Sequence, residues 1–202
     1  WASGYEMPDI KERLLSLERH EFWDPSLGLG LLKGKLFEKK FHQFLKVNSF
    51  QECRVPLTIS VFDIFRLRTH VVTSGDINCA VRASCCLPGL FQPVFVDGRW
   101  AVDGGVMDMP GFAGIPREDR VLYHHLGNPA SSSRDNRVFA GVPVRRNTIP
   151  IALQGLPTVT PFKLDQGAEA YGSARAQVKR VLNSRVANDR GDWIMRSSVR
   201  PG

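Results

Sequence analysis

The stretch that decides the fold runs from Arg82 to Gly105 and reads RASCCLPGLFQPVFVDGRWAVDGG. It passes from a helix end through Pro-Gly into an apolar run, turns at Asp97-Gly98 and stops abruptly after Asp103. Short apolar runs on either side of an Asp-Gly pair are typical of a β-hairpin with a two-residue turn. The stretch therefore predicts a helix, then a hairpin, with a carboxylate at the end of the second hairpin strand.

Asp103 is followed at once by Gly104 and Gly105. A carboxylate at a buried strand end is costly unless it is hydrogen-bonded or paired. Glycine allows the backbone to turn sharply and another segment or a ligand to approach closely. The motif predicts that Asp103 meets a partner across a narrow gap. A plain Asp-Gly turn, like the one at Asp97, is the alternative that the motif leaves open.

Strands and helices alternate along the rest of the chain. The β-branched, apolar runs at 57–64, 69–75, 120–126 and 148–155 predict strands. Helical spacing of apolar residues predicts helices at 8–22, 35–45, 76–86 (with Asp76 as N-cap) and 165–185, whereas the glycine-broken segment 22–34 predicts a loop. This order indicates a layered α/β fold.

The composition and the net charge of the chain limit the classes of partner that we expect. A chain of 202 residues with no run of 18 apolar residues suggests one domain without a transmembrane segment. The net charge of +7 comes entirely from residues 117–202, which hold 14 basic and 7 acidic side chains against 13 and 13 before them. This excess favours anionic partners, although a solvated basic face explains it equally well. Because basic and aromatic residues are not interleaved, we expect no nucleic-acid partner.

The cysteines match neither a disulfide framework nor a paired C-x-x-C zinc site. We interpret Cys53, Cys79, Cys85 and Cys86 as free thiols in a reducing compartment, which predicts a cytoplasmic protein. Cys85-Cys86 with His124-His125 leaves a thiol hydrolase or a metal site as an alternative, but packing against the core is favoured. Arg82 is expected to pair with Asp63 or Asp76, or to orient a phosphate.

Residues 80–110 resemble the C-terminal catalytic block of the patatin-like phospholipases. In that family an A-x-R-A-S helix leads to P-G-x-F-x-P-V, a short D-G hairpin and D-G-G. A weaker resemblance extends over residues 1–185. It implies a three-layer α/β/α patatin-like fold with a central, mostly parallel sheet, in a domain at residues 1–187. We expect residues 188–202 to form a disordered tail.

The resemblance implies a lipid acyl hydrolase with a Ser–Asp dyad, in which the D-G-G carboxylate activates a serine without an intervening histidine. Asp103 matches that carboxylate, and Gly104 and Gly105 would shape its approach. The implied substrate is a phospholipid or another acyl lipid at a membrane surface, and no metal or organic cofactor is implied. Leu90 and Phe91 are candidates to line an acyl groove, although packing into the core is their plainer role.

The sequence departs from the family pattern at the nucleophile. It contains no G-x-S-x-G elbow, the strained turn that would present the serine, and no oxyanion glycines. We expect the 202 residues to be a fragment that begins just after the nucleophile and is inactive alone. The alternative is a non-catalytic, patatin-fold lipid-binding or scaffold protein.

Overall fold

The computed structural model describes residues 1–126 and 145–183, which form two compact units that meet in the sequence between Ile115 and Pro116. The predicted tail at 188–202 lies outside the described residues. The first unit contains the elements α1 (Met7–Leu15), β1 (Gly30–Leu32), α2 (Lys35–His42), β2 (Ile59–Asp63), β3 (Arg68–Val72), α3 (Ile77–Ser84), β4 (Gly89–Phe91), β5 (Val94–Val96) and β6 (Arg99–Asp103). The second unit contains β7 (Val121–Leu126), β8 (Thr148–Leu153) and α4 (Gly167–Asn183).

A four-stranded sheet in the order β3-β2-β6-β5 organises the first unit. All three of its strand pairs are antiparallel. The hairpin predicted at Asp97-Gly98 joins β5 to β6, and φ is positive at both turn residues (47° and 71°), as a two-residue hairpin turn requires. The register places Asp103, the last residue of β6, opposite Val61 of β2.

Helix α3 covers this sheet. Asp76 caps it as predicted, because its carboxylate accepts a hydrogen bond from the Cys79 amide at 3.0 Å. Small and branched side chains of the helix and the sheet pack into one core, which includes Val61, Val72, Ile77, Ala80, Ala83, Cys86, Val94 and Ala101. Close packing of these side chains fixes the strand that carries Asp103.

Strands β1 and β4 form a separate parallel pair, with Gly30 opposite Gly89 and Leu32 opposite Phe91. A Cβ at Gly30 would lie 2.3 Å from the Phe91 carbonyl carbon, so this contact between backbones requires glycine. β1 lies within the segment for which we predicted a loop. Three residues interrupted by glycine carry no periodicity, and the strand exists only through its pairing with a distant segment.

In the second unit β7 and β8 pair in parallel over six residues, and α4 packs on β8. In α4 the apolar residue Leu182 is exposed, whereas the polar residue Gln177 is buried. The Gln177 amide accepts a hydrogen bond from the Gln154 amide (3.2 Å) and donates one to its carbonyl (2.9 Å). A polar side chain thus satisfies the backbone at the end of β8.

The mixed α/β class predicted from the sequence is confirmed, with parallel strand pairs in both units. The prediction of a mostly parallel central sheet is corrected for the four-stranded sheet, whose strand pairs are antiparallel. The reason is local, because β2–β3 and β5–β6 are joined by short turns, and a parallel pair needs a much longer crossover. Among the described residues no helix combines the length and the apolar character needed to cross a bilayer.

Candidate functional site

The carboxylate of Asp103 is held at one oxygen only. Its Oδ1 accepts a hydrogen bond from the Gly105 amide at 2.7 Å, and Asp103 thereby caps a single 3₁₀ turn at Gly104–Val106. No hydrogen bond or ion pair with the described residues reaches Oδ2. The side chain is half-buried, and its backbone amide is fixed by the Cys86 carbonyl at 2.9 Å. The group is therefore oriented yet retains a free acceptor oxygen.

The two glycines after Asp103 serve different purposes. A Cβ on Gly104 would lie 2.3 Å from the carbonyl oxygen of Ser60, so β2 and the turn touch backbone to backbone there. A Cβ on Gly105 would lie 2.9 Å from Asp103 Oδ1, the oxygen that the Gly105 amide holds. The first glycine thus permits a close backbone contact with β2, and the second leaves room for the carboxylate. That Asp103 meets a partner across a narrow gap stays a prediction.

Two cysteines neighbour this acid. Cys86 is fully buried and its Sγ lies 3.0 Å from the Gln92 carbonyl oxygen; burial raises its pKa to about 11. Cys85 is exposed as a residue, yet desolvation of its thiol and, secondly, the charge of Asp103 raise its pKa. A nucleophilic cysteine needs a lowered pKa, so this environment disfavours the thiol-hydrolase alternative. The packing expected for Cys86 is confirmed, whereas that of Cys85 is wrong.

A second aspartate on the same sheet has the opposite environment. Asp63 ends β2, is 1% exposed, and accepts hydrogen bonds at Oδ1 from the amides of Phe65 (3.1 Å) and Arg66 (3.0 Å). Its Oδ2 lies 3.0 Å from Arg66 Nη1 and 3.6 Å from Arg99 Nη1. The pKa of Asp63 is lowered to about 2, chiefly by the hydrogen bond from the Arg66 amide. Both oxygens of this carboxylate are occupied.

Arg82 does not pair with Asp63 or Asp76, as we had expected. Its Nη1 lies 2.8 Å from Glu38 Oε2 on α2, and its Nη2 donates to the Lys33 carbonyl at 3.0 Å. The side chain is mostly buried in this ion pair. Arg82 therefore links α3 to α2, and pairing across 44 residues carries no signal in the local sequence.

The two candidate groove residues lie on different faces of β4. Phe91 packs against the ring of Phe37, with centroids 5.8 Å apart, and joins the main core. Leu90 lies between the two registered pairs of β4 and β1, opposite Leu31, whose side chain is exposed. Core packing thus accounts for Phe91, and the acyl-groove role of Leu90 stays a prediction.

The cysteines and histidines suggested for a metal site lie in different units of the chain. His124 and His125 follow one another in β7 of the second unit and point to opposite faces of that strand. Within 1–126 and 145–183, no three or more His, Cys, Asp or Glu side chains are grouped so that they could hold a metal ion.

The capping role of Asp24 was not predicted from the sequence. Its carboxylate accepts hydrogen bonds from the amides of Gly34, Lys35 and Leu36 at 2.7–3.0 Å and so caps α2 from ten residues upstream. The signal for this contact was weak, because a helix cap normally lies next to the helix it serves.

Residues 1–114 match the family model described as patatin-like phospholipase. Uncharacterized NTE family proteins of Mycobacterium bovis and Mycobacterium tuberculosis are 27% identical to the chain over 116 residues, which is 55% of the chain and 32% of each relative. The chain thus spans about a third of the length of the curated relatives it matches. The family match coincides with the first unit, so the resemblance beyond residue 114 stays a prediction.

Proposed function

The chain belongs to the patatin-like phospholipase family, and on that premise we propose that Asp103 is the general base of a lipid acyl hydrolase. The substrates would be fatty acyl esters of phospholipids or related glycerolipids. One observation carries the proposal: Oδ1 of Asp103 is fixed by the Gly105 amide while Oδ2 has no partner among the described residues. A base needs both a fixed direction and a free lone pair.

The chemistry would proceed in two steps. Oδ2 of Asp103 accepts the proton of a serine hydroxyl as the serine oxygen bonds to the ester carbonyl carbon. The tetrahedral intermediate then collapses, the bond to the leaving alcohol breaks, and that alcohol takes the proton from Asp103. Water next attacks the acyl-serine and gives its proton to Asp103. The released serine oxygen recovers this proton, and a fatty acid leaves.

The serine of this scheme would belong to a part of the protein outside the 202 residues. They contain no G-x-S-x-G, and the match covers 32% of the relatives' length. The surroundings of Asp103 support its assigned role. Gly104 packs against β2 and Gly105 anchors Oδ1, so a serine brought to Oδ2 would meet a base that does not need to reorient.

The test uses the full-length protein and two aspartates that each precede a glycine. Asp103→Asn should lower the rate of fatty-acid release from phosphatidylcholine vesicles by about 10²–10⁴-fold, the usual contribution of a general base. Asp97→Asn is the matched control, because Asp97 lies at the exposed hairpin turn, where its Oδ2 contacts His70 Nε2 at 2.6 Å. It should retain most of the activity.

Two results would refute the proposal. Equal activities of Asp103→Asn and the wild type would remove Asp103 from the chemistry. Full-length protein that releases no fatty acid from any phospholipid or glycerolipid would favour the lipid-binding or scaffold alternative instead.

A further inference from the structure

A loop with an apolar tip precedes α2 in the first unit. This leucine loop, residues 24–33, carries Leu27, Leu29 and Leu31 at alternating positions, with relative exposures of 101%, 80% and 54%. Single exposed apolar residues are common on protein surfaces, but three fully or largely exposed leucines in five residues form a concentrated patch. Such a patch requires an explanation.

The backbone holds these leucines outward. The two arms of the loop are joined at the Pro25–Leu32 bridge, by the Ser26 amide to the Leu31 carbonyl at 3.0 Å, and by the Lys33 amide to the Asp24 carbonyl at 3.0 Å. Gln92 supports the tip from β4's side, because its Nε2 donates to the Leu27 carbonyl at 3.2 Å. The exposure of the leucines is therefore built into an ordered loop.

Backbone contacts connect the leucine loop to the segment that holds Asp103. Leu31 stands opposite Leu90 in the β1–β4 pair, and Leu87, half-exposed, accepts the Leu90 amide at 3.1 Å through its carbonyl. The residue before Leu87 is Cys86, whose carbonyl accepts the Asp103 amide. The apolar surface and Asp103 thus share one continuous, hydrogen-bonded segment.

Lysines lie at the end of the leucine loop and directly after it in the sequence. Residues 24–42 hold four lysines and two acids, Asp24, which caps α2, and Glu38. Lys35 and Lys40 are paired with Glu38 and Glu21, whereas Lys33 and Lys39 are exposed and form no ion pair with any residue that the structure describes. Exposed leucines beside lysines suit a surface with an apolar interior and negative headgroups.

We propose that the leucine loop is the docking surface for an anionic phospholipid bilayer, with Leu27 and Leu29 entering the headgroup–acyl boundary and Lys33 and Lys39 contacting the headgroups. The inference rests on the proposed function, because an enzyme that cleaves phospholipids has to reach the bilayer that contains them. A second copy of the chain carries a net charge of +7 and therefore matches these lysines less well than an anionic bilayer does.

Binding is measured by co-sedimentation of the full-length protein with vesicles of phosphatidylcholine and phosphatidylglycerol in equal parts, and with vesicles of phosphatidylcholine alone. Leu27→Ser/Leu29→Ser should lower the partition coefficient on the mixed vesicles at least tenfold. Lys33→Gln/Lys39→Gln should lower it several-fold on the mixed vesicles only. The control Phe65→Ser/Leu67→Ser removes two apolar side chains that are also largely exposed (76% and 71%) from the β2–β3 turn and should bind like the wild type.

Asp103→Asn should also bind like the wild type, so a failure of catalysis would not be mistaken for a failure of docking. Unchanged partitioning of the leucine variant would overturn the proposal. So would a lowered melting temperature of that variant without vesicles, since it would mean that the leucines are covered within the full-length protein. A change from dimer to monomer would likewise assign the patch to a second copy.

Discussion

Asp63 and Asp103 end neighbouring strands of one sheet, and their side chains lie on the same face because Asp103 is opposite Val61, two residues before Asp63. Asp63 is buried, with four partners on its two oxygens. Asp103 is half-buried, with one amide on one oxygen. Similar positions in a sheet thus have different surroundings, and the two carboxylates differ in how many of the described residues hold them.

The turn after Asp103 should be the most sensitive position to a small change. Gly104→Ala places a Cβ 2.3 Å from the Ser60 carbonyl oxygen, and two backbones cannot separate without disturbing the β2–β6 pair. We expect a loss of about 3 kcal/mol in the free energy of unfolding, measured by urea denaturation.

Gly172→Ala in α4 is the matched control for that substitution. Its Cβ would meet nothing within 4 Å, and the change should stabilise the helix by about 0.5–1 kcal/mol. Equal stabilities of the two variants would mean that β2 does not approach the turn as closely as described.

Replacement by asparagine, which removes the charge and keeps the shape of the side chain, should lower the melting temperature much more at Asp63 than at Asp103. Asp63→Asn leaves the Arg66 and Arg99 guanidinium groups without their carboxylate and should lower the melting temperature at neutral pH on the order of 5 °C. Asp103→Asn should lower it by about 2 °C at most. A larger drop in melting temperature for Asp103→Asn than for Asp63→Asn, measured by differential scanning calorimetry, would contradict the comparison.

Acid should remove the difference between the wild type and Asp63→Asn. The pKa of Asp63 is about 2 in the folded protein, below the ordinary value of 3.8, so its stabilising contribution is present above the unfolded pKa and lost as pH falls toward 2. Melting temperatures measured between pH 5 and pH 2 should therefore converge. Parallel curves over this range would contradict the assigned pairing.

The smallest expected effect concerns Cys85. Because the charge of Asp103 adds to the desolvation that raises the pKa of this thiol, Asp103→Asn should increase its rate of alkylation by iodoacetamide. Site-resolved mass spectrometry checks this, with Cys53, far along the chain, as the internal reference. An unchanged rate at Cys85 would place the two side chains farther apart than their electrostatic coupling requires.

The sequence predicted most of the elements, because they depend on local patterns. Alternating β-branched residues located β2 and β3, the Asp97-Gly98 turn located the β5–β6 hairpin, and Asp76 marked the start of α3. The pair β1–β4 was missed, since three-residue strands become strands only when a distant partner supplies their hydrogen bonds. The family resemblance implied a mostly parallel sheet, although the short turns between β2 and β3 and between β5 and β6 favour antiparallel pairs.

Only part of the candidate site could be predicted from the sequence. The two glycines predicted that Asp103 meets a partner across a narrow gap, and this stays a prediction. Gly104 itself contacts Ser60 of β2 backbone to backbone, and no spacing in the sequence could have identified that strand. The local sequence indicates one of the cations around Asp63, since an Asp three residues before an Arg, as with Arg66, is typical of a capped turn. Arg99 reaches it only because β6 lies beside β2.

The most direct measurement is the reaction of the full-length protein with a fluorophosphonate, which phosphonylates an activated serine. We predict that the wild type is labelled at a single serine and that Asp103→Asn, at an unchanged melting temperature, is labelled about 100-fold more slowly or less. Labelling of Asp103→Asn at the wild-type rate would contradict the central claim, because the serine would then be activated without the carboxylate that ends β6.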